Sequence, residues 1–554
     1  SAVAALAGGL VAAGVVVAVL PQIGEYQRAE IDRRVGLHAQ DELFTALDRL
    51  AGLARFESPA FLNRLLMAQH CASSPGSLVE CLFTLVGSAV MLVGFVGSLA
   101  AVSPLITAVV ALAAVPALLV ELRLSRHRAA MMWRIGPTER RELFFGELQS
   151  TPDAAVEVRL FGLGAFLRGR MNAQTCAANA ARRRMDRDEL RYQGGLALLS
   201  ALVAGGGLVW AVAVARAGLL TVGDVSMFVI AVAGVQSALG DLVVQTAKAH
   251  HLLTLFGHYT AVVEGPPDLP LPTRARPVGP LRHGIELRDV WFRYGEDHPW
   301  VLRGVNLFIP HGRTVGLVGL NGAGKTTLIK LLCRFYDPVR GSVLWDGTDI
   351  RDVPVAELRA RIGAVFQDFF TYDLTASENI AVGDLPALHE AERITDAAAL
   401  AGVHHALAAL PRGYDTLLSR TYADDADDTE DGVLLSGGQW QRLALARGFL
   451  RRDRDLMILD EPSAGLDAAA EHEIHLRLRG IRDGRTSILI SHRLGTLREA
   501  ELIVVISEGV VAEEGDHHQL MRAGGEYARL FTLQAAGYER DTPPLLGSGS
   551  REPG

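Results

Sequence analysis

The stretch Gly319-Leu320-Asn321-Gly322-Ala323-Gly324-Lys325-Thr326 decides the reading of this chain. It fits G-x-x-x-x-G-K-[ST], a pattern in which a glycine-rich turn aims backbone N–H groups at phosphate oxygens. Val315 to Val318 before it predict a buried strand, and Thr327 to Cys333 after it a helix, which is the context the pattern requires. A helix N-terminus favours anions in any case. Lys325 is then expected to reach the β- and γ-phosphates, and the Thr326 hydroxyl to bind Mg²⁺. The chain holds only three lysines (Lys248, Lys325, Lys330) and uses arginine almost everywhere else. A lysine kept at 325 points to a need for a compact ammonium rather than a planar fork.

Working outward, short strands alternate with helices from Ile285 onward, an α/β nucleotide-binding pattern. Glu286 to Phe292 reads as an early strand ending near Tyr294. Leu456 to Leu459 is an apolar run that delivers Asp460 and Glu461 to a strand's C-terminal end, where α/β sheets bind ligands. Asp460 is expected in the Mg²⁺ shell. Glu461 is expected to orient or polarise the attacking water as general base.

The rest of the chain is of another kind. Its 554 residues are 49% hydrophobic and 21% charged, with mean hydropathy +0.22, too apolar for an ordinary soluble enzyme. A net charge of −8 and a pI near 6.1 give no reason to expect nucleic acid. The four cysteines lack metal or redox spacing. The arginine-for-lysine, alanine-rich bias looks like that of a high-GC bacterial genome.

Ser1 to Gly24 carries no charge and is long enough to cross a bilayer. Leu82 to Val120 is also charge-free and suits two spans, with a turn at Ser103-Pro104. Tyr192 to Ala215 makes a fourth span and Val225 to Val244 a fifth. Between them lie the polar, arginine-rich stretches Glu25 to Val79 and Glu121 to Arg191, which the positive-inside rule puts in the cytoplasm. Their three-to-four apolar spacing, as in Leu43, Leu47, Leu50 and Leu53, predicts that the spans continue as helices beyond the membrane. Five spans with a cytoplasmic C-terminal half put residue 1 outside, so a first transmembrane helix is expected ahead of it. Domains are expected at 1–265 (transmembrane, with cytoplasmic helical extensions), 266–282 (proline-rich linker), 283–536 (nucleotide-binding) and 537–554 (disordered tail).

Leu435-Ser436-Gly437-Gly438-Gln439, followed by Gln441-Arg442, resembles the signature of ATP-binding cassette (ABC) proteins. The resemblance covers about residues 285–535 in the family's motif order and implies further roles. Tyr294 resembles the aromatic that stacks on adenine. Gln367, in Val365-Phe366-Gln367-Asp368, resembles the Q-loop residue that senses Mg²⁺. Ser463-Ala464-Gly465-Leu466-Asp467 resembles the D-loop, and His492 the switch histidine at the γ-phosphate. It implies ATP contacts from Tyr294, Gly319, Asn321, Gly322, Ala323, Gly324, Lys325, Thr326, Thr327 and Asp467, and from Ser436, Gly437, Gly438 and Gln439 of a second cassette. Mg²⁺ contacts fall to Thr326, Gln367 and Asp460, and catalytic roles to Glu461, His492 and Gln367. The membrane half resembles the type IV ABC exporter fold of bacterial, actinobacterial-like proteins, with candidate coupling helices at Glu57 to Leu62 and Leu148 to Asp153. The implied fold is an all-α transmembrane domain fused to an α/β P-loop NTPase cassette.

One stretch departs from the family pattern. Asp424, Asp425, Asp427, Asp428, Glu430 and Asp431 precede the signature where a short loop is usual. They read either as a solvated acidic loop or as a partner for coupling-segment arginines. Asp241, near the inner end of the fifth span, reads equally as a functional-site residue or as a solvated aspartate facing the lumen or the interface. The reading is an ATPase that exports an amphipathic or hydrophobic cargo across the bacterial cytoplasmic membrane. It works in the lipid bilayer as a dimer of half-transporters, homodimer before heterodimer. Two alternatives stand beside it: an importer on the same fold, and a membrane-anchored ABC ATPase that transports nothing.

Overall fold

The computed structural model describes residues 2–73, 75–102, 104–217, 221–270, 272, 275–419, 432–464, 468–482 and 484–539. The chain divides into two compact units, one of Ser1–Asp48 with Pro59–Gly265, the other of Arg49–Ser58 with Pro266–Gly554.

The first unit is helical: α1 (Ala2–Asp48), α2 (Pro59–Ser73), α3 (Gly76–Val102), α4 (Pro104–Ser150), α5 (Pro152–Leu160), α6 (Gly164–Arg216) and α7 (Val222–Val263). The five apolar stretches expected as spans lie in α1, α3, α4, α6 and α7. Helices α1 and α4 have 47 residues each and α6 has 53. At a rise of about 1.5 Å per residue, each is more than twice as long as a hydrocarbon core of roughly 30 Å is thick. Among the described residues, Gly76–Ala100 and Val225–Val263 are long and apolar enough to cross a membrane, and Ala204–Arg216 is a shorter apolar helix. Helix α3 packs along α7, and α4 along α6. Leu99, Ala211, Ala231, Val232 and Val235 form a buried cluster, and Gly234 lies so close to the Phe95 ring that a Cβ there would collide with it. Small residues allow such approach where apolar helices gain little from leaving lipid. The stretch Leu148 to Asp153 contains the break between α4 and α5. Thr151 is extended (φ −82°, ψ 136°), as a residue before proline prefers, so the helix stops and restarts at Pro152.

The second unit holds two sheets. Strands β1 (Gly284–Phe292), β2 (Leu302–Pro310), β4 (Arg340–Trp345) and β5 (Thr348–Asp349) form an antiparallel sheet in the order β2-β1-β4-β5. Strands β3 (Thr314–Val318), β6 (Ile362–Val365), β7 (Leu456–Asp460), β8 (Thr486–Ile490), β9 (Leu502–Ser507) and β10 (Val510–Gly515) form the other, in the order β10-β9-β3-β8-β7-β6. All its ladders are parallel except β9 with β10. β3, β7 and β8 are buried end to end, as strands covered on both faces must be. Helix α8 (Lys325–Leu332) follows β3. It starts two residues before the expected Thr327, because left-handed Gly324 caps it directly.

Residues 266–282, expected as a linker, belong to this unit, and Leu269, Val278 and Leu281 are buried in it. The expected tail boundary at 537 falls inside the helix Glu526–Glu539, since no proline stands before Pro543 to end it; the rest of that tail lies outside the described residues. Arg49–Ser58 is held within the unit by backbone. The Asp268 carboxylate accepts from Ala51 N (2.9 Å) and Gly52 N (2.7 Å), and Leu53 N donates to Phe335 O (3.2 Å). Nearby Arg334 is fully buried, donating to Asp337 (3.1 Å), Val353 O (2.9 Å) and Pro270 O (3.0 Å). Replacing it by methionine strands a carboxylate and two carbonyls. We expect Arg334→Met to lower cassette stability by about 3 kcal/mol in chemical denaturation. A loss well under 1 kcal/mol would show that water reaches those groups.

Candidate nucleotide site

The loop after β3 is built as its sequence demands. Gly322 and Gly324 hold φ of +80° and +108°, which only glycine adopts cheaply. At Gly324 a Cβ would also lie 2.7 Å from Leu302 Cδ2. Ala323 is buried, while Asn321, Gly322 and Thr326 are exposed along the loop. Lys325 is 8% exposed, and its ammonium donates to Gly319 O (2.7 Å) and Leu320 O (3.1 Å). Burial pushes its pKa below the usual lysine value, and the Glu461 and Asp460 carboxylates pull it partly back. The loop thus holds a desolvated cation at the N-terminus of α8.

Tyr294, just past β1, is 38% exposed. Its hydroxyl lies 3.0 Å from Thr327 Oγ1, and its ring meets Phe292 and Tyr336 edge-on at 5.0 and 5.4 Å. The aromatic is therefore anchored to the first turn of α8, and the cluster fixes its orientation.

The parallel ladder gathers the remaining groups. β3, β8, β7 and β6 are successive neighbours, so their C-terminal ends lie side by side. Gly319 follows β3, His492 lies two residues past β8, Asp460 ends β7, and Gln367, exposed, lies two residues past β6. Asp460 is 3% exposed and its pKa is pushed up to about 6, by burial first and then by the Glu461 carboxylate; Lys325 opposes this. Asp368 adds to the rise, a contribution that the sequence reading did not assign. Glu461 has φ +49°, unusual for a residue with a Cβ, and its N–H donates to Ile490 O (3.0 Å). The turn brings Glu461 Oε1 within 2.5 Å of His492 Nε2.

The signature residues stand apart. Ser436 caps the helix Gly437–Phe449 in a capping box: Ser436 Oγ accepts from Gln439 N (3.3 Å) and Gln439 Oε1 from Ser436 N (2.8 Å). Ser436 and Gly437 are exposed, and among the described residues no hydrogen bond joins Ser436, Gly437, Gly438 or Gln439 to the Gly319–Thr326 loop. Further along this helix Gln441 is buried and donates to Pro462 O (3.1 Å), tying it to the turn after Glu461. The sequence showed Gln441 beside the signature but gave no sign of this contact, which joins residues 21 apart. Asp467 and the acidic run Asp424 to Asp431 lie outside the described residues.

Residues 302–464 match the ABC transporter family model. The cyclolysin secretion/processing ATP-binding protein CyaB of Bordetella pertussis is 46% identical over 256 residues, covering 46% of this chain and 34% of that protein. The ATP-dependent lipid A-core flippase of Chromohalobacter salexigens is 35% identical over 333 residues, covering 59% and 54%. The chain thus spans about half, or less, of the length of these curated relatives. Over 92% of its own length it superposes on 86% of a solved chain, a bacterial Atm1-family ABC exporter with ATP bound, with TM-score 0.77 and 26% identity. The chain thus resembles an ABC exporter in fold, a helical unit followed by one region that matches the ABC transporter family model.

Proposed function

We propose that this protein hydrolyses ATP to export an amphipathic or hydrophobic cargo across the bacterial cytoplasmic membrane. The observation that carries the reading is the adjacency of the C-terminal ends of β3, β8, β7 and β6, after which come the glycine-rich loop with Lys325, then His492, the Asp460–Glu461 pair and Gln367. In this reading the loop and Lys325 hold the triphosphate, Tyr294 stacks on the base, and Glu461 accepts a proton from the attacking water. His492 orients Glu461 and faces the γ-phosphate. Two of the relatives support the cargo class: one is named for cyclolysin, the other for lipid A-core.

Mg²⁺ suits the residues present. The ion usually takes one or two carboxylates and completes its shell from water and substrate phosphates. Asp460 offers a buried carboxylate that lacks full charge compensation, and Thr326 an exposed hydroxyl. Together with Gln367 they would hold the ion, which would supply charge neutralisation to the phosphates.

Dimerisation follows from the signature. Ser436 and Gly437 sit at the exposed N-terminus of a 13-residue helix, a ready anion site. A second cassette would bring that terminus to the nucleotide, and a homodimer of this chain supplies every part. Closing and opening of the pair would then switch access to the cargo between the two sides of the membrane.

Two measurements test this. In lipid nanodiscs, Glu461→Gln should cut ATP turnover by about 100-fold or more while leaving ATP binding intact. An amphipathic cargo should change the native rate, and no response to any lipid or peptide would remove the transport reading. Asp460 gives a pH signature in nucleotide-free, EDTA-treated protein. Its folded pKa, near 6, lies above the unfolded value, so the folded state holds the extra proton between about pH 4 and 6. Stability from this group is therefore present at low pH and lost as pH rises through 6. Asp460→Asn should raise the melting temperature at pH 7, and the gain should vanish near pH 4. An equal gain at both values would sink the assignment.

A further inference from the structure

We propose that Glu471 is a positioning residue for hydrolysis: it ties the loop after Glu461 to the loop that carries His492 and so fixes the spacing of those two side chains. The inference rests on the reading of Glu461 and His492 as the groups that act at the γ-phosphate.

Glu471 lies in the first turn of the helix Ala468–Arg482 and is 7% exposed. A carboxylate so buried is costly unless it is paired. Its partners come from both loops. Ser463, two residues after Glu461, donates its hydroxyl to Glu471 Oε1 (3.2 Å). Arg493, the residue after His492, forms an ion pair with Glu471 Oε2. His475, one turn along the same helix, places Nε2 3.5 Å from Oε1. One side chain thus grips a neighbour of each candidate catalytic group.

The location matters because the sheet cannot do this work. The β7–β8 ladder ends at the pair Asp460–Ile490, and Glu461 N to Ile490 O continues it by one hydrogen bond. Past that point the two chains leave the sheet, yet Glu461 and His492 stay 2.5 Å apart. The His492 loop is shaped locally by Ser491 Oγ, which accepts from Arg493 N (3.0 Å). It is also clamped from the C-terminal helix, where Gln534 accepts from Leu494 N and donates to His492 O, both at 2.6 Å. Gln534 grips one loop; Glu471 grips both. Misplacing a reacting group by about 1 Å can cost a factor of 10², so a tie between these loops controls turnover more than binding.

A purely structural carboxylate would change melting temperature without separating turnover from affinity. The test is single-turnover ATP hydrolysis by the full chain in nanodiscs. We expect Glu471→Gln to lower the rate by about 10-fold with ATP affinity unchanged. On a His492→Ala background the same substitution should have no further effect, since its target is gone. Equal fold-losses on the native and His492→Ala backgrounds, or a loss of ATP affinity with the rate kept, overturns the proposal. Glu461→Gln runs alongside. If it leaves hydrolysis intact, the reading of the site itself fails; if it abolishes hydrolysis while Glu471→Gln does not slow it, this inference alone fails. Should Glu471→Gln not fold, Ser463→Ala and Arg493→Ala each remove one grip, and native turnover in both overturns it.

Discussion

The cassette must hold an ammonium and two carboxylates beside the apolar C-terminal ends of buried strands. β3, β7 and β8 are buried along their whole length, and Lys325, Asp460 and Glu461 sit where the chain leaves them. Each charge is paid for in a different way. Lys325 is depressed by burial but satisfied by two loop carbonyls. Asp460 is left under-compensated, with its pKa raised to about 6. Glu461 adopts a left-handed backbone, at a cost of order 1–3 kcal/mol. These local penalties persist only because the surrounding core over-determines the position of each strand. Such conflicts between local preference and global fold belong at functional sites.

Arginines carry that rigidity to the parts of the cassette outside the sheet. Arg447, on the signature helix, donates to Asn379 O and to Asn379 Oδ1, both at 2.7 Å, and to Phe370 O at 2.6 Å. Its guanidinium also stacks over Tyr372 at 4.9 Å, and burial brings its pKa down to about 10. The segment after Gln367 is thereby fixed to the helix that starts at Ser436. Gln441, on the same helix, reaches the turn after Glu461. The helix that starts at Ser436 is thus tied by side-chain hydrogen bonds both to the segment after Gln367 and to the turn after Glu461.

Much of this was legible in the sequence because it is local. The phosphate loop and the apolar run before Asp460 each depend on residues within a few positions of one another. Helix periodicity places the start of α8 two residues late, since it sees side chains and not the left-handed cap at Gly324. What could not be read is what acts through space. Asp268 looks like an ordinary residue of a proline-rich linker, yet it accepts from Ala51 and Gly52, more than 200 residues earlier in the chain. Glu471 looks like one more charge on an exposed helix until the fold buries it between two loops. Apolar length marked the helices of the membrane half, but the break at Thr151 needed the proline rule rather than hydropathy.

The scarcity of lysine reaches further than position 325. Lys330, one turn on from the phosphate loop, has its ammonium 5.3 Å from the Tyr294 ring centroid and 5.8 Å from that of Tyr336. The same ammonium lies 3.3 Å from Glu57 Oε1, within the Arg49–Ser58 segment of the cassette unit. A compact point charge can sit against two rings and a carboxylate at once, whereas a planar guanidinium would have to stack on one ring and turn its edge to the other. Burial and the Glu57 carboxylate together hold the Tyr336 phenol above its usual pKa, so the hydroxyl stays neutral beside that acid. The ring that stacks on adenine in the proposed reading therefore shares a cation with a carboxylate from the segment joining α1 to α2. In a chain that writes nearly every other cation as arginine, a lysine at 330 follows the same physical preference as the one in the phosphate loop.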